Sequence, residues 1–146
     1  MVRSVPKVLV GLDGSEYSLR AARYAAKMAS ETPGAEITAV VVVRPLPESL
    51  YRDPACQTAT GGGYEVSRVT RMAKDLMSQA GVDAVFESVA GGAPGLTLCR
   101  YALTEGFDHI VVGKRGRSSQ QNGNLSLGSV AYKVLHMSPC NVTVVC

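Results

Sequence analysis

The stretch Val8-Leu9-Val10-Gly11-Leu12-Asp13-Gly14-Ser15 reads as a strand that runs straight into a helix. Its apolar residues do not alternate with polar ones, so the strand is expected to be buried on both faces. Asp13-Gly14 is a turn dipeptide, and Ser15 can cap the first free N–H groups of a helix. A doubly covered strand delivered into a helix is the opening unit of a layered α/β fold.

The same order repeats outward from there. Leu19, Ala22, Ala26 and Ala29 recur at helical spacing, with Arg20, Arg23 and Lys27 on another face, until Pro33-Gly34 stops the helix. Ile37 to Val43 is a β-branched run closed by Pro45 and Pro47. The span from about Arg44 to Gly63 has no core pattern and ends in three glycines, so it reads as an irregular loop on one face. Val66, Val69, Ala73, Leu76 and Ala80 give the next helical stripe, closed by Gly81, and Ala84 to Val89 a third strand. After Gly91-Gly92, Pro94 fits a first helical turn, with Leu98, Ala102 and Leu103 as the buried face and Gly106 as the C-cap. Ile110-Val111-Val112 is a fourth strand ending at Gly113. Val130, Val134 and Leu135 mark a last short helix, and Val142 to Val145 a last strand. Alternating strands and helices predict one domain over residues 1–146, a doubly wound five-stranded parallel sheet with helices on both faces.

Composition narrows the function classes. With 46% hydrophobic and 18% charged residues, a chain of 146 residues buries a core without metals or disulfides. A net charge of +3 suits phosphate groups but is too weak to imply nucleic acid, and 5% aromatic residues leave little for base stacking. The longest apolar run, Ala39 to Val43, is far too short to span a membrane. The chain reaches Asp13 after only a short strand-like run, so no signal peptide is expected and the location expected is cytoplasmic. Cys56, Cys99, Cys140 and Cys146 lack CxxC spacing and read as reduced, small core hydrophobes.

In a doubly wound sheet, ligands bind beyond the carboxyl ends of the strands, where the strand order reverses. Three segments fall there: Asp13-Gly14-Ser15, Val43-Arg44, and Gly113-Lys114-Arg115-Gly116-Arg117. Glycines let backbone N–H groups approach a ligand, Gly128-Ser129 opens a helix whose N-terminus attracts anions, and Lys114, Arg115 and Arg117 add positive charge. Together they suggest a phosphate cradle, with a solvated basic loop as the plain alternative. Asp13 is equally a turn residue or a ligand-binding residue. GxxxxGK[ST], GxGxxG after the first strand, and GxSxG are all missing. His109 and His136 have no metal-ligand spacing.

At these residues the sequence resembles the universal stress protein family, almost end to end. The opening Val8 to Ser15 is similar to that family's first strand and its Asp. Gly92-Ala93-Pro94, Asp108 to Gly113 and Ser138 to Val145 are similar to its later turn and strands. The ATP-binding branch carries G-x2-G-x9-G-[S/T]. Gly113, Gly116, Gly128 and Ser129 match its ends, but eleven residues, Arg117 to Leu127, stand in place of nine. Two more residues add about 7 Å of contour. Asn122-Gly123, a tight-turn signal, is expected to carry them outward.

The resemblance implies an ATP-binding stress-response regulatory protein. In it Asp13 would contact the ribose side, Val41 would lie at the adenine edge, and Gly113, Gly116, Gly128 and Ser129 would wrap the ribose and phosphates. Arg117 joins them on charge. The ligand expected is ATP or a related adenine nucleotide, with Mg²⁺ on the triphosphate. The resemblance also implies a homodimer through Val142 to Val145, and a protein partner whose nature the sequence does not give. Two other readings fit the same residues. One is a dimeric interaction module independent of nucleotide, and the other a very slow ATPase, since Asp13 is the only carboxylate near the site.

Overall fold

Successive residues of the first strand point to opposite faces and enter two separate cores. The computed structural model describes residues 5–43, 61–116 (61–65 as backbone only) and 126–146. In chain order the elements are β1 (Lys7–Leu12), α1 (Glu16–Glu31), β2 (Glu36–Val43), α2 (Gly61–Gln79), β3 (Val85–Ala90), α3 (Pro94–Glu105), β4 (His109–Gly113), α4 (Ser129–Met137) and β5 (Asn141–Val145). Val8, Val10 and Leu12 of β1 pack with α1 and α2, whereas Leu9 packs with α3 and α4. That split is why the strand carries no polar residue from Val8 to Leu12.

The sheet has five strands in the order β3-β2-β1-β4-β5, and every pairing is parallel. The expected doubly wound architecture is therefore the observed one. Val10 stands opposite Ala39 of β2 and Val111 of β4, so β1 lies at the centre. The order runs one way through β2 and β3 and the other way through β4 and β5. The reversal falls between β1 and β4.

The caps form as their residue types dictate. Ser15 Oγ accepts the Ser18 N–H at 3.1 Å, holding the first turn of α1. Gly106 ends α3 at φ 72°, a left-handed conformation that costs glycine little. Pro94 sits in the first turn of α3, where its missing N–H has no intrahelical role.

Several expectations need correction. Leu103 is 70% exposed and Leu135 49% exposed, so neither belongs to its helix's buried face. Gly95, Leu98, Cys99 and Ala102 form that face in α3, and Ala131 and Val134 in α4. The buried face of α1 is Ser18, Ala21, Ala22, Ala25 and Ala26, with Leu19 and Ala29 at its margins. Small residues there let the helix lie close on the sheet. Ala80 is exposed, and Met77 completes the α2 stripe beside Val69 and Ala73. The helix α2 begins at Gly61, inside the span read as a loop, because a strong downstream stripe overrides the weak propensity of its first glycines. Residues 44–60 of that span, Cys56 among them, lie outside the described residues. Of the other cysteines, Cys99 is buried, Cys140 half-buried and Cys146 exposed, so the core reading holds for Cys99 and fails for Cys146.

Candidate functional site

Beyond the carboxyl ends of β1, β2 and β4 the chain encloses a cavity of about 510 Å³. Pockets that take small ligands commonly fall between about 300 and 1,000 Å³. The polar residues of the lining are kept off one side. On the β2 side the walls are Val40, Val41, Val42 and Val43, closed by Val66 and Val69 of α2. On the β4 side they are mixed: Val112, Gly113, Arg115 and Gly116, then Ser129, Val130 and Ala131 of α4, with Pro94 and Leu98 of α3 beside them. Asp13, at the end of β1, stands between the two, and it is the one acidic residue in the described lining.

Asp13 is held by its own turn. Its Oδ1 accepts the Ser15 N–H at 2.8 Å, and its backbone N–H donates to Ser18 Oγ at 3.3 Å. Gly14 takes φ 83° to make that turn. Both meanings of Asp13 are therefore present: a turn residue by hydrogen bonding and a wall residue by position.

Each glycine of the loop has a distinct steric reason. A Cβ on Gly113 would stand 2.6 Å from the backbone carbon of Tyr17, so this glycine lets β4 end against the first turn of α1. A Cβ on Gly116 would stand 2.7 Å from Asp13 Oδ2. A Cβ on Gly128 would stand 3.0 Å from the α-carbon of Arg115 and 3.1 Å from the Lys114 carbonyl oxygen. The Gly128 N–H donates to that carbonyl at 2.8 Å, and Arg115 Nε donates to the Ser126 carbonyl at 3.1 Å. The Lys114 N–H donates in turn to the Val145 carbonyl at 2.8 Å, tying the loop to the end of β5. The two ends of the long segment thus meet through backbone bonds.

Asp13, Val41, Gly113, Gly116 and Ser129 line the same cavity. Gly128 lies just behind the wall, against Arg115, and Lys114 serves the closure through its backbone. Arg117 and Asn122-Gly123 lie outside the described residues. Sequence reasoning missed Val66 and Val69 as wall residues. Their helical stripe was visible, but it does not tell which end of the sheet the helix caps. His109, away from this cavity, pairs its Nε2 with Thr143 Oγ1 at 2.7 Å. Burial holds its pKa below the usual imidazole range.

Residues 5–145 match the sequence profile of the Universal stress protein family. The chain belongs to the universal stress protein family. A curated relative, the universal stress protein in the QAH/OAS sulfhydrylase 3′ region of Thermus aquaticus, is 31% identical over 138 residues. That match spans 94% of this chain and 96% of the relative. Among solved structures, universal stress protein UspA from Lactobacillus plantarum superposes with a TM-score of 0.81 at 24% identity, covering 100% of each chain. A universal stress protein solved in complex with cAMP superposes with a TM-score of 0.75 at 27% identity, covering 99% of each chain. Family membership accounts for the parallel sheet and for the reversal point at which the cavity opens. No described helix is long and apolar enough to cross a membrane.

Proposed function

We propose that this protein binds an adenine nucleotide, ATP with Mg²⁺ in the first instance, as a regulatory ligand. The observation that carries the reading is one cavity whose β2 side is wholly apolar and whose polar residues, Asp13, Arg115 and Ser129 among them, stand with Gly113 and Gly116 away from it. A flat apolar base suits the first, a phosphate chain the second, and a ribose hydroxyl the carboxylate. The relative solved with cAMP supports the choice of adenine. The two-residue longer segment is compatible with binding, because its ends are pinned at Lys114–Gly128 and Arg115–Ser126. Lengthening a closed loop from nine residues to eleven costs only about 0.2 kcal/mol in closure entropy. No three His, Cys, Asp or Glu converge among the described residues, so Mg²⁺ would ride on the phosphates. Asp13 is already engaged by Ser15, so any hydrolysis is expected to be slow.

The same reading has two copies pairing along β5. That strand ends the sheet, and its neighbour α4 exposes Tyr132, Leu135 and Met137 near it in sequence. The edge at β3 is less suited, since Glu87 and Ser88 are exposed there. Light scattering should return twice the chain mass, and Leu135→Lys with Met137→Lys should return it to one.

Thermal shift tests the nucleotide. Protein shown to be free of co-purified nucleotide is titrated with ATP and Mg²⁺, with AMP and GTP alongside. Saturation at a hundred times Kd adds about 2.7 kcal/mol, several degrees for this size. No shift with any adenine nucleotide would overturn the reading in favour of an interaction module that works without one.

A further inference from the structure

The helices α1 and α2 lie on the same side of the sheet, packed over one core. Each links one parallel strand to the next, so both run from the cavity end of the sheet toward its far end. Their outward faces repeat one pattern. Arg20, Tyr24 and Lys27 are exposed at i, i+4 and i+7 on α1, and Arg68, Met72 and Asp75 at the same spacing on α2. Glu16 is taken up by Arg20 at 2.6 Å. That is the only ion pair among the described residues, so the exposed Arg23, Lys27, Arg71 and Lys74 have no carboxylate partner. The other described carboxylates of the two helices, Glu31 and Asp75, lie toward their C-terminal ends. Two of the cations rest against neighbours on their own helix. The Arg20 guanidinium lies 5.4 Å from the centre of the Tyr17 ring, and Arg68 Nη1 lies 4.0 Å from Met72 Sδ. Tyr24 and Met72 are 42% and 37% exposed, which sets apolar surface within this positive field.

We propose that the face formed by α1 and α2 is a docking surface for an acidic segment of a partner protein, with carboxylates arranged around an apolar anchor. Arginine, tyrosine and methionine are the residues that protein interfaces favour at their centres, and this face exposes all three. Other occupants fit it less well. A single-stranded nucleic acid would need more stacking aromatics than one exposed tyrosine. A membrane surface would need an outward stripe of Leu, Phe or Trp, and the described outward residues of these helices include none. A second copy would set basic face against basic face across a two-fold axis. The proposal is independent of the nucleotide reading, and it leaves β5 and α4 for the pairing of copies.

The test is selection from a random-peptide library displayed on phage, with the full chain as target, followed by fluorescence anisotropy on the recovered peptides. Arg23→Glu with Arg71→Glu reverses charge on the face. Arg100→Glu with Lys133→Glu makes the same change of net charge on α3 and α4, and serves as the control. Tyr24→Ser with Met72→Ser removes the apolar surface. All six residues are exposed, and melting curves establish that each variant is folded. The recovered peptides are expected to be rich in Asp and Glu around an apolar residue. Charge reversal at Arg23 and Arg71 should weaken them at least about tenfold, and loss of Tyr24 and Met72 about three- to tenfold. The control pair should stay within about twofold of wild type. No recovered binder, binders without acidic residues, or an equal loss in the control pair would overturn the proposal. So would a duplex DNA oligonucleotide, or vesicles of phosphatidylserine, that bound more tightly than the peptides and lost affinity on the Arg23 and Arg71 reversal.

Discussion

Asp13 and Gly116 stand so close that a single methyl group on the glycine would lie 2.7 Å from Asp13 Oδ2. One end of the loop after β4 is therefore fitted to the turn after β1. The fit depends on a hydrogen atom where other residues carry carbon. Gly116→Ala should displace the carboxylate while leaving both cores intact. Nucleotide affinity should fall at least about tenfold, with a melting temperature within a few degrees of wild type. Titration and a melting curve on the same preparation check both halves.

Gly113→Ala should behave differently. Its Cβ would meet the backbone of Tyr17 at 2.6 to 2.8 Å, and a helix backbone cannot swing aside as a side chain can. Overpacking of this kind costs about 3 kcal/mol, roughly 6 to 12 °C in melting temperature for a domain of this size. A melting curve like that of Gly116→Ala would show that α1 tolerates a shift away from β4.

The corrected helix faces predict unequal leucines. Leu98→Ala removes a side chain that is buried among Leu9, Val40 and Val112, and should cost about 2 to 5 kcal/mol. Leu103→Ala, on the exposed side of the same helix, should stay within about 0.5 kcal/mol of wild type. Urea unfolding of the two variants measures the contrast.

His109 predicts a pH dependence. Burial lowers its pKa in the folded state, so the unfolded chain binds the proton more readily. Its contribution to stability is whole above the unfolded value of about 6.5 and is lost as pH falls through that value toward the folded one. Wild type should therefore weaken between pH 7.5 and 5.5. His109→Gln, which can still bond Thr143, should weaken less over the same window by urea titration.

Thiol chemistry should separate the cysteines. Burial, and then the charge of Cys140, push the Cys99 thiol upward, while Cys146 is exposed. At pH 8 the folded protein should lose one fast-reacting thiol equivalent on Cys146→Ser. Cys99 should react only in denaturant. Fast labelling of Cys99 in folded protein would show that α3 opens locally.

Where side-chain type alone decides, the sequence is readable. Val8 to Leu12 carries both cores on one strand, Ser15 and Gly106 carry caps, and each does what its residue type implies. Position around a helix is less legible. Leu103 lies about 140° from Leu98, off the face that Leu98 and Ala102 define, yet its size invites the assignment. Leu135 misleads likewise, because the small Ala131 does the packing. The cavity was legible at the strand ends, through Asp13 and Gly113. It was not legible at Val66, because the pattern of a helix says which side is apolar and not what lies above it. Nor did motif spacing disclose that Gly113 answers to Tyr17, a contact made across ninety-six positions of chain.

The backbone bonds from Gly128 to Lys114 and from Lys114 to Val145 have a consequence for evolution and engineering. They make the segment between Gly116 and Ser126 a span whose anchor points do not depend on its length. Doubling such a span costs only about 0.6 kcal/mol in closure entropy. Descendants of this sequence are free to gain or lose residues there while the anchors stay in place. For the same reason, a change of length between these anchors is expected to leave the stability of the sheet nearly unchanged.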